Sequence, residues 1–429
     1  MDAKLATKGG SPVRDKPFTK WPVFADRERE LVMGVLDSGV WSFYGPRERE
    51  FEGKWAAFCG ATHAICVANG TVSLEIALRA LGVGPGDEVI VPALTWMATA
   101  GAVLQVGAVP VFADIRDDDW CIDPVSIRQK LTPRTRVIMP VHLYSQVAQM
   151  DDILTIALEK SLHVVEDCAH AHGSRWKDRG VGALGKVGSF SFQQSKGMTS
   201  GEGGALVTND HELAEVMYGM KNCGRTRVEG GQAGFGGNYR ITEFQAAILL
   251  AQLDRIEQQL AIKNENIRLL RDKISSVPGV HITPPKPQVT RQGVYALSVR
   301  LDIASFANIP RDILIKALRA EGIPVTPPYE VVYASSLWTR GPEFLRFADN
   351  VSPQVRFGFT SECPVAERIA DEEGIVIPHE VFLGDEKDMD DIAAAFDKVQ
   401  KHASDLRFDT LERKARAGAR AILKRLGLR

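Results

Sequence analysis

Residues 164–175 read V-V-E-D-C-A-H-A-H-G-S-R, and residues 188–208 read G-S-F-S-F-Q-Q-S-K-G-M-T-S-G-E-G-G-A-L-V-T. Each segment is a short run of β-branched, aromatic or small residues that breaks off into a turn, the signature of a buried strand. The first run ends on a carboxylate, Asp167, and the second leads to Lys196 in a small-residue, glycine-rich turn. Those two groups are what a pyridoxal phosphate (PLP) enzyme needs. Its lysine forms a Schiff base with the cofactor aldehyde, and its acid keeps the pyridine nitrogen protonated so that the ring acts as an electron sink. Taken singly, each has a plainer reading. A strand-end aspartate is commonly a helix cap, and a lysine among glycines is commonly just solvated.

Working outward, the same pattern repeats. Ala64 to Ala68, Glu88 to Val91, Val109 to Ala113, Val137 to Val141, His163 to Glu166, Gly188 to Phe192 and Ala205 to Thr208 are candidate strands alternating with helical stretches. That alternation predicts an α/β fold with helices covering a mostly parallel sheet. Upstream, residues 1–20 read as an extended arm anchored by Trp21-Pro22-Val23-Phe24. Two helices follow, Asp26 to about Ser38, with Asp26 as its cap, and Arg47 to Cys59. Downstream, a long amphipathic helix from Glu243 to about Lys273 bridges to a smaller C-terminal α/β domain, with a strand at Tyr295 to Asp302 and a helix at Pro310 to Glu321. The expected division is an arm (1–20), a large domain (21–260), a small domain (261–400) and a basic helical tail (401–429), read as a solvated or subunit-packing helix.

The other candidate site residues also sit just after strands. Asn69-Gly70-Thr71 opens a helix, where free N–H groups and the helix dipole suit a phosphate, although an Asn-Gly turn with Thr as N-cap is common. Trp96, in P-A-L-T-W, follows the next strand, and its ring can either stack on a flat cofactor or join the core. Gly82-Val83-Gly84-Pro85-Gly86 follows a helix rather than a strand and lacks a downstream acidic partner, so it reads as a turn and not a dinucleotide-binding motif.

Composition narrows the function classes. The chain has 429 residues, 45% of them hydrophobic and 25% charged, with a formal net charge of -2, which gives no general pull toward nucleic acid or acidic membrane. The start of the chain lacks a signal-peptide core, and no apolar run reaches the ~18 residues of a membrane span, so a cytoplasmic enzyme is expected. The six cysteines form no C-x-x-C pair, which argues against zinc and against a disulfide framework; Cys168 reads as a small buried residue and no metal is expected.

These ordered motifs, spread from about Trp21 to about Leu383, resemble the DegT/DnrJ/EryC1/StrS family of PLP-dependent sugar and cyclitol aminotransferases of fold type I. The branch most similar contains L-glutamine:scyllo-inosose aminotransferases and 3-amino-5-hydroxybenzoate synthases. The resemblance implies an aspartate aminotransferase-like fold and a set of roles. Lys196 carries the cofactor and Asp167 pairs with the pyridine nitrogen. Gly70, Thr71 and Ser191 bind the phosphate. Trp96 lies over the ring, and His170 sits near the phenolic oxygen. His172 has no such precedent and is read as structural. Asn238, in G-G-N-Y-R, crosses a homodimer interface to the partner's phosphate, so that each active site is composite. Tyr329 and His379 fall in loops that line the substrate pocket. The implied reaction is ping-pong transamination of a keto-cyclitol or keto-sugar with glutamine as donor, in aminoglycoside or other secondary metabolism. A nucleotide-linked keto-sugar aminotransferase using glutamate, and a dehydrating enzyme of the aminohydroxybenzoate type, stay open. So does a PLP-binding protein without catalysis, which the intact Lys196, Asp167 and Ser191 argue against.

Overall fold

The computed structural model describes residues 4–227, 230–232, 234–335 and 362–407. Two helices, α1 (Asp26–Ser38) and α2 (Pro46–Cys59), precede β1 (His63–Val67). Strands and helices then alternate through α3 (Gly70–Ala80), β2 (Glu88–Pro92), α4 (Ala98–Gln105), β3 (Val109–Ala113), α5 (Pro124–Lys130), β4 (Thr135–Ile138), α6 (Met150–Lys160) and β5 (His163–Asp167). A short hairpin of β6 (Arg175–Trp176) and β7 (Arg179–Gly180) leads to β8 (Val187–Ser191), β9 (Gly204–Thr208) and α7 (His211–Lys221).

All seven strands expected from the sequence join one sheet, in the order β1-β9-β8-β5-β4-β2-β3. Only β9 runs against the others, pairing antiparallel with both β1 and β8. Strands β2, β8 and β9 are buried at every position, as a sheet covered by helices on both faces requires. Because β1, β2, β5 and β8 share a direction, Asn69, Thr95, Asp167 and Ser191 emerge along one edge of the sheet. That edge is where ligands bind in open α/β sheets. Beneath it, Trp55 of α2 meets Phe190 and Phe192 edge-on, with ring centroids 5.0 and 5.3 Å apart, so the helix before β1 is keyed to the strand that leads to Lys196.

Beyond α7, α8 (Glu243–Ile274) is closed at its start by a capping box in which Thr242 and Gln245 exchange hydrogen bonds. It runs unbroken past residue 260, with Leu249, Leu250, Ile256, Leu260, Ile267 and Leu270 buried along its length. The remaining elements are β10 (Val280–His281), β11 (Val289–Arg291), β12 (Ala296–Leu301), α9 (Arg311–Ala320), α10 (Pro364–Arg368), β13 (Gly374–Pro378) and α11 (Glu386–Lys401). β10, β12 and β13 make a second, antiparallel sheet, while β11 reaches back to pair with β6. The basic tail from residue 408 lies outside the described residues. Among the described residues, no helix is long and apolar enough to cross a membrane.

Three local readings are corrected. Asp26 does not cap α1. It is the first helical residue, after Ala25, and the Ala25 N–H is taken by Glu28 at 2.9 Å. In α3 the cap is Asn69 rather than Thr71, since Asn69 Oδ1 accepts from Val72 N–H at 2.9 Å. The arm is held along its length rather than only at its end. Leu5 is buried, Glu321 accepts from Ala6 and Val13 N–H, and Arg14 is paired with Asp388 and Asp391 at 2.6 and 2.9 Å. Trp21 and Val23 do make anchoring hydrogen bonds, to Gln194 and to Gln252 and Arg255, whereas Phe24 stays exposed.

Candidate active site

The edge of the large sheet opens into a cavity of about 390 Å³, and eight residues singled out in the sequence line it: Gly70, Thr71, Trp96, Asp167, His170, Ser191, Lys196 and Tyr329. They come from four strand ends and two loops.

Asp167 is the last residue of β5, and neighbouring strand residues point to opposite faces. Asp167 therefore faces the cavity while Glu166 faces the loop before β8. Glu166 accepts three backbone N–H bonds, from Gly182, Leu184 and Gly185 at 2.7–2.9 Å, and one from His142 Nε2 at 3.2 Å. His142, Glu166 and Cys168 have potential ligand atoms within 4.8 Å of one another. However, His142 Nδ1 already accepts from Ala148 N–H at 3.1 Å, and burial pushes the Cys168 thiol well up. This trio is a structural lock that leaves Asp167 free to serve the cavity. The Asp167 carboxyl is raised by burial, against which Thr99 Oγ1–H and Ala169 N–H donate at 2.9 and 3.2 Å.

Gly70, the first residue of α3, abuts β8. A Cβ there would stand 2.6 Å from Ser191 Cβ, and one on Gly204 would stand 2.5 Å from the carbonyl carbon of Asn69. Only glycines let the start of α3 come this close to the sheet. The approach brings the unpaired N–H groups of its first turn and the Ser191 hydroxyl to one end of the cavity, an arrangement made for a phosphate.

Lys196 is 8% exposed, and burial lowers its ammonium from the ordinary lysine value, with Tyr295 and Asp167 opposing the shift. Its Nζ lies 4.6 Å from the Tyr295 ring centroid. The same ring stacks on His170 at 3.7 Å with an interplanar angle of 16°. His170 is held neutral by burial and then by Lys196, and its Nε2 stands 3.4 Å from the Tyr329 hydroxyl. Trp96 is 54% exposed at the mouth, with its ring 5.4 Å from that of Tyr329. A cavity carrying a buried acid, a poised amine and an anion cradle suits a cofactor with a basic ring nitrogen, an aldehyde and a phosphate.

Comparison with known proteins decides the family. The model of the DegT/DnrJ/EryC1/StrS aminotransferase family matches residues 23–397. The chain belongs to the DegT/DnrJ/EryC1/StrS aminotransferase family. It is 40% identical to a putative L-glutamine:3-amino-2,3-dideoxy-scyllo-inosose aminotransferase of Streptoalloteichus tenebrarius, over 95% of this chain and 100% of that one. It is also 40% identical to the L-glutamine:2-deoxy-scyllo-inosose aminotransferase of Streptomyces paromomycinus, over 94% and 99%. Among solved structures, 3-amino-5-hydroxybenzoic acid synthase superposes with a TM-score of 0.79 at 32% identity, covering 91% of this chain and 99% of that one. The DesV protein of S. venezuelae, solved with a ketimine intermediate, gives 0.78 at 31%, covering 90% and 99%. This aminotransferase is thus a PLP-dependent transaminase of fold type I.

Two residues singled out in the sequence lie elsewhere in the aminotransferase. Asn238 is exposed and bridges to Asn222, away from the cavity of its own chain. His379 is buried, with both ring nitrogens engaged, and faces a neighbouring cavity of about 520 Å³. Ser195, Tyr295 and Tyr329 line both cavities, so the Tyr295–Tyr329 pair, with hydroxyls 3.4 Å apart, stands between them. His172, read as structural, faces Ser191 O at 2.9 Å from Nε2, and burial lowers it to about 3. The sequence reading missed Tyr295 and Thr99. Thr99 had a usable signal, four residues after Thr95 at a helix start; Tyr295, read as the first residue of a strand, had none for a place in the site, and β12 begins just after it.

Proposed function

We propose that this aminotransferase carries the amino group of L-glutamine to the ketone of a cyclitol of the scyllo-inosose type, with PLP held in the Asp167–Lys196 cavity. The observation that carries the reading is the convergence of Asp167, Lys196, Ser191 and the start of α3 on one cavity of cofactor size. When bound, PLP supplies an aldehyde that carries the amino group and a pyridine ring that draws electrons from the carbon losing its proton.

The residues then divide the work. Asp167 keeps a proton on the pyridine nitrogen. Gly70 and Thr71 N–H and the Ser191 hydroxyl would hold the phosphate, and Trp96 and His170 would hold the ring. Lys196 would carry the aldehyde as a Schiff base. Freed from it, the Lys196 Nζ would be the group to take the proton from the donor's α-carbon and return one for the acceptor. A buried amine with a lowered pKa is suited to this, because it is available in the neutral form.

The acceptor follows from relatives named for scyllo-inosose substrates and from the charge of the lining. Among the described residues, neither cavity is lined by an arginine, and the only lysines are Lys196 and Lys20. A diphosphate-linked sugar calls for more cationic groups than that; a neutral polyol does not. We further read the enzyme as a homodimer with composite sites. Trp41 and Phe43 are exposed, Arg225 and Arg240 each lie 5.3 Å from the Phe43 ring, and Arg240 also bonds Asn222, the bridge partner of Asn238. Such an apolar patch favours a second copy, whose cavity Asn238 would then enter.

The test begins with Lys196→Ala, which should abolish both turnover and the visible absorbance of the lysine-linked cofactor. Borohydride reduction of the wild-type enzyme should place the pyridoxyl group on the Lys196 peptide. Half-reactions with glutamine, glutamate and alanine, followed by keto-cyclitols and nucleotide-linked keto-sugars, fix donor and acceptor. Turnover confined to the nucleotide-linked compounds would overturn the cyclitol assignment.

A further inference from the structure

The turn that carries Lys196 is gripped from outside at two successive carbonyls. Trp21 Nε1–H donates to Gln194 O at 2.9 Å, and His379 Nε2 stands 3.2 Å from Ser195 O. A carbonyl can only accept, so the ring proton of His379 is on Nε2 and its Nδ1 offers a lone pair. Lys263 of α8 donates to that lone pair at 2.9 Å. The three side chains also pack on one another. Trp21 meets His379 edge-on at 4.6 Å, and Lys263 Nζ lies 5.0 Å from the Trp21 ring.

His379 and Lys263 are each 1% exposed. Burial drives the His379 imidazole well below its ordinary value, with Lys263 adding to the effect, and brings Lys263 down to about 7, opposed only by Glu380. Placing an amine there is costly, yet neither residue lines the Asp167 cavity. What the amine does achieve is to fix the tautomer of the ring that holds Ser195.

We propose that Lys263, His379 and Trp21 are positioning residues that set the backbone of residues 194–195 and, through it, the reach of Lys196 Nζ. This deepens the reading of Lys196 and rests on it. Within the turn itself, the Lys196 N–H donates to Gln193 O at 2.8 Å and the Ser195 hydroxyl to Gln193 Oε1 at 2.8 Å. Neither bond holds the carbonyls of residues 194 and 195. A displacement of about 1 Å at a reacting group can cost about a hundredfold in rate, so the outside grip has a kinetic consequence.

The test compares four full-length variants: His379→Leu, His379→Gln, Lys263→Met and Trp21→Phe. Two readouts are used, kcat and acceptor KM of the holoenzyme, and the rate at which apoprotein develops the visible lysine–cofactor band after PLP is added. His379→Leu and Lys263→Met should each lose about tenfold or more in kcat, leave KM within about twofold, and slow the appearance of the band. His379→Gln, which keeps one donor and one acceptor, should recover most of both losses, and Trp21→Phe should fall between. Wild-type values of both readouts in His379→Leu would overturn the proposal, as would a raised acceptor KM with kcat intact, which makes His379 a substrate contact. Should His379→Leu fail to fold, Lys263→Met decides on the same criteria. A wild-type enzyme with no lysine–cofactor band would defeat the reading of Lys196 itself, a separate failure.

Discussion

Thr99 donates its hydroxyl to Oδ2 of Asp167 at 2.9 Å, joining the first turn of α4 to the end of β5 across 68 residues of chain. Thr95 stands 3.0 Å behind Thr99 and, since the Thr99 proton is committed to the carboxylate, donates to it. The chain of two hydroxyls favours the ionised acid in a place where burial disfavours it. Thr99→Val should therefore raise the Asp167 carboxyl further. The acid limb of the kcat profile moves to higher pH and kcat falls by about tenfold, while Thr99→Ser keeps the wild-type profile. An unchanged profile in Thr99→Val would mean that the pyridine partner is not Asp167.

Asp167 has an opposite effect on the folding of the cofactor-free protein. Its folded carboxyl is raised above the unfolded value, so the native state binds more protons than the unfolded state between those two values, and stability falls as pH rises through that window. Below the ordinary carboxylate range the effect is absent; it grows as pH rises through the unfolded value and is complete only above the raised folded value. Apoprotein of Asp167→Asn should accordingly melt higher than wild-type apoprotein at pH 7, and the difference should close as pH drops through the unfolded carboxyl value. The same variant should lose turnover by orders of magnitude. Calorimetry across pH on both apoproteins measures the first effect.

Gly70→Ala places a methyl group 2.6 Å from Ser191 Cβ, closer than packed side chains come. Either α3 retreats from β8 or the strand yields, at a cost of about 1–3 kcal/mol in stability. Both responses move the phosphate end of the cavity. Titration of the apoprotein with PLP should show affinity weakened by about tenfold or more, a larger fractional loss than Thr71→Ala produces.

Replacing Trp41 and Phe43 together by glutamate puts charge into the exposed patch beside Asn238. Light scattering should then report a monomer, and turnover should collapse although no residue of the Asp167 cavity has changed. A fully active monomer would remove the composite site from the reading.

Why some of this could be read in the chain and some could not is clear from where the contacts come from. Asp167, Ser191 and Gly70 each lie at or within three residues of a strand end. Short buried strands announce themselves by composition, and parallel strands of one sheet end on one edge, so a residue's place in its own segment was enough to put it at the site. The cap of α1 lies one residue earlier because the helix starts at Asp26 after an extended Ala25, whose N–H is taken by the Glu28 carboxylate rather than by Asp26. Tyr295 escaped notice because what brings it to His170 is the seating of the second sheet, 125 residues along the chain, and no local period encodes that. His379 lines the neighbouring cavity, and what its ring nitrogens bind was not legible in the chain. Its fate depended on Lys263, a lysine whose place on a long amphipathic helix reads as ordinary until the helix is packed.

By itself, then, the order of residues determined the α/β architecture, the strands of the main sheet and the acid–amine pair at its edge. These follow from local hydrophobic patterning and from glycines at positions where nothing larger fits. Only the folded molecule decided which groups surround that pair: the hydroxyl behind Asp167, the aromatic ring beneath Lys196 and the tryptophan, histidine and lysine that hold its turn. Each of those is a contact between segments far apart in the chain, set by how helices and sheets dock, and docking is a property of whole surfaces that no single stretch of sequence contains.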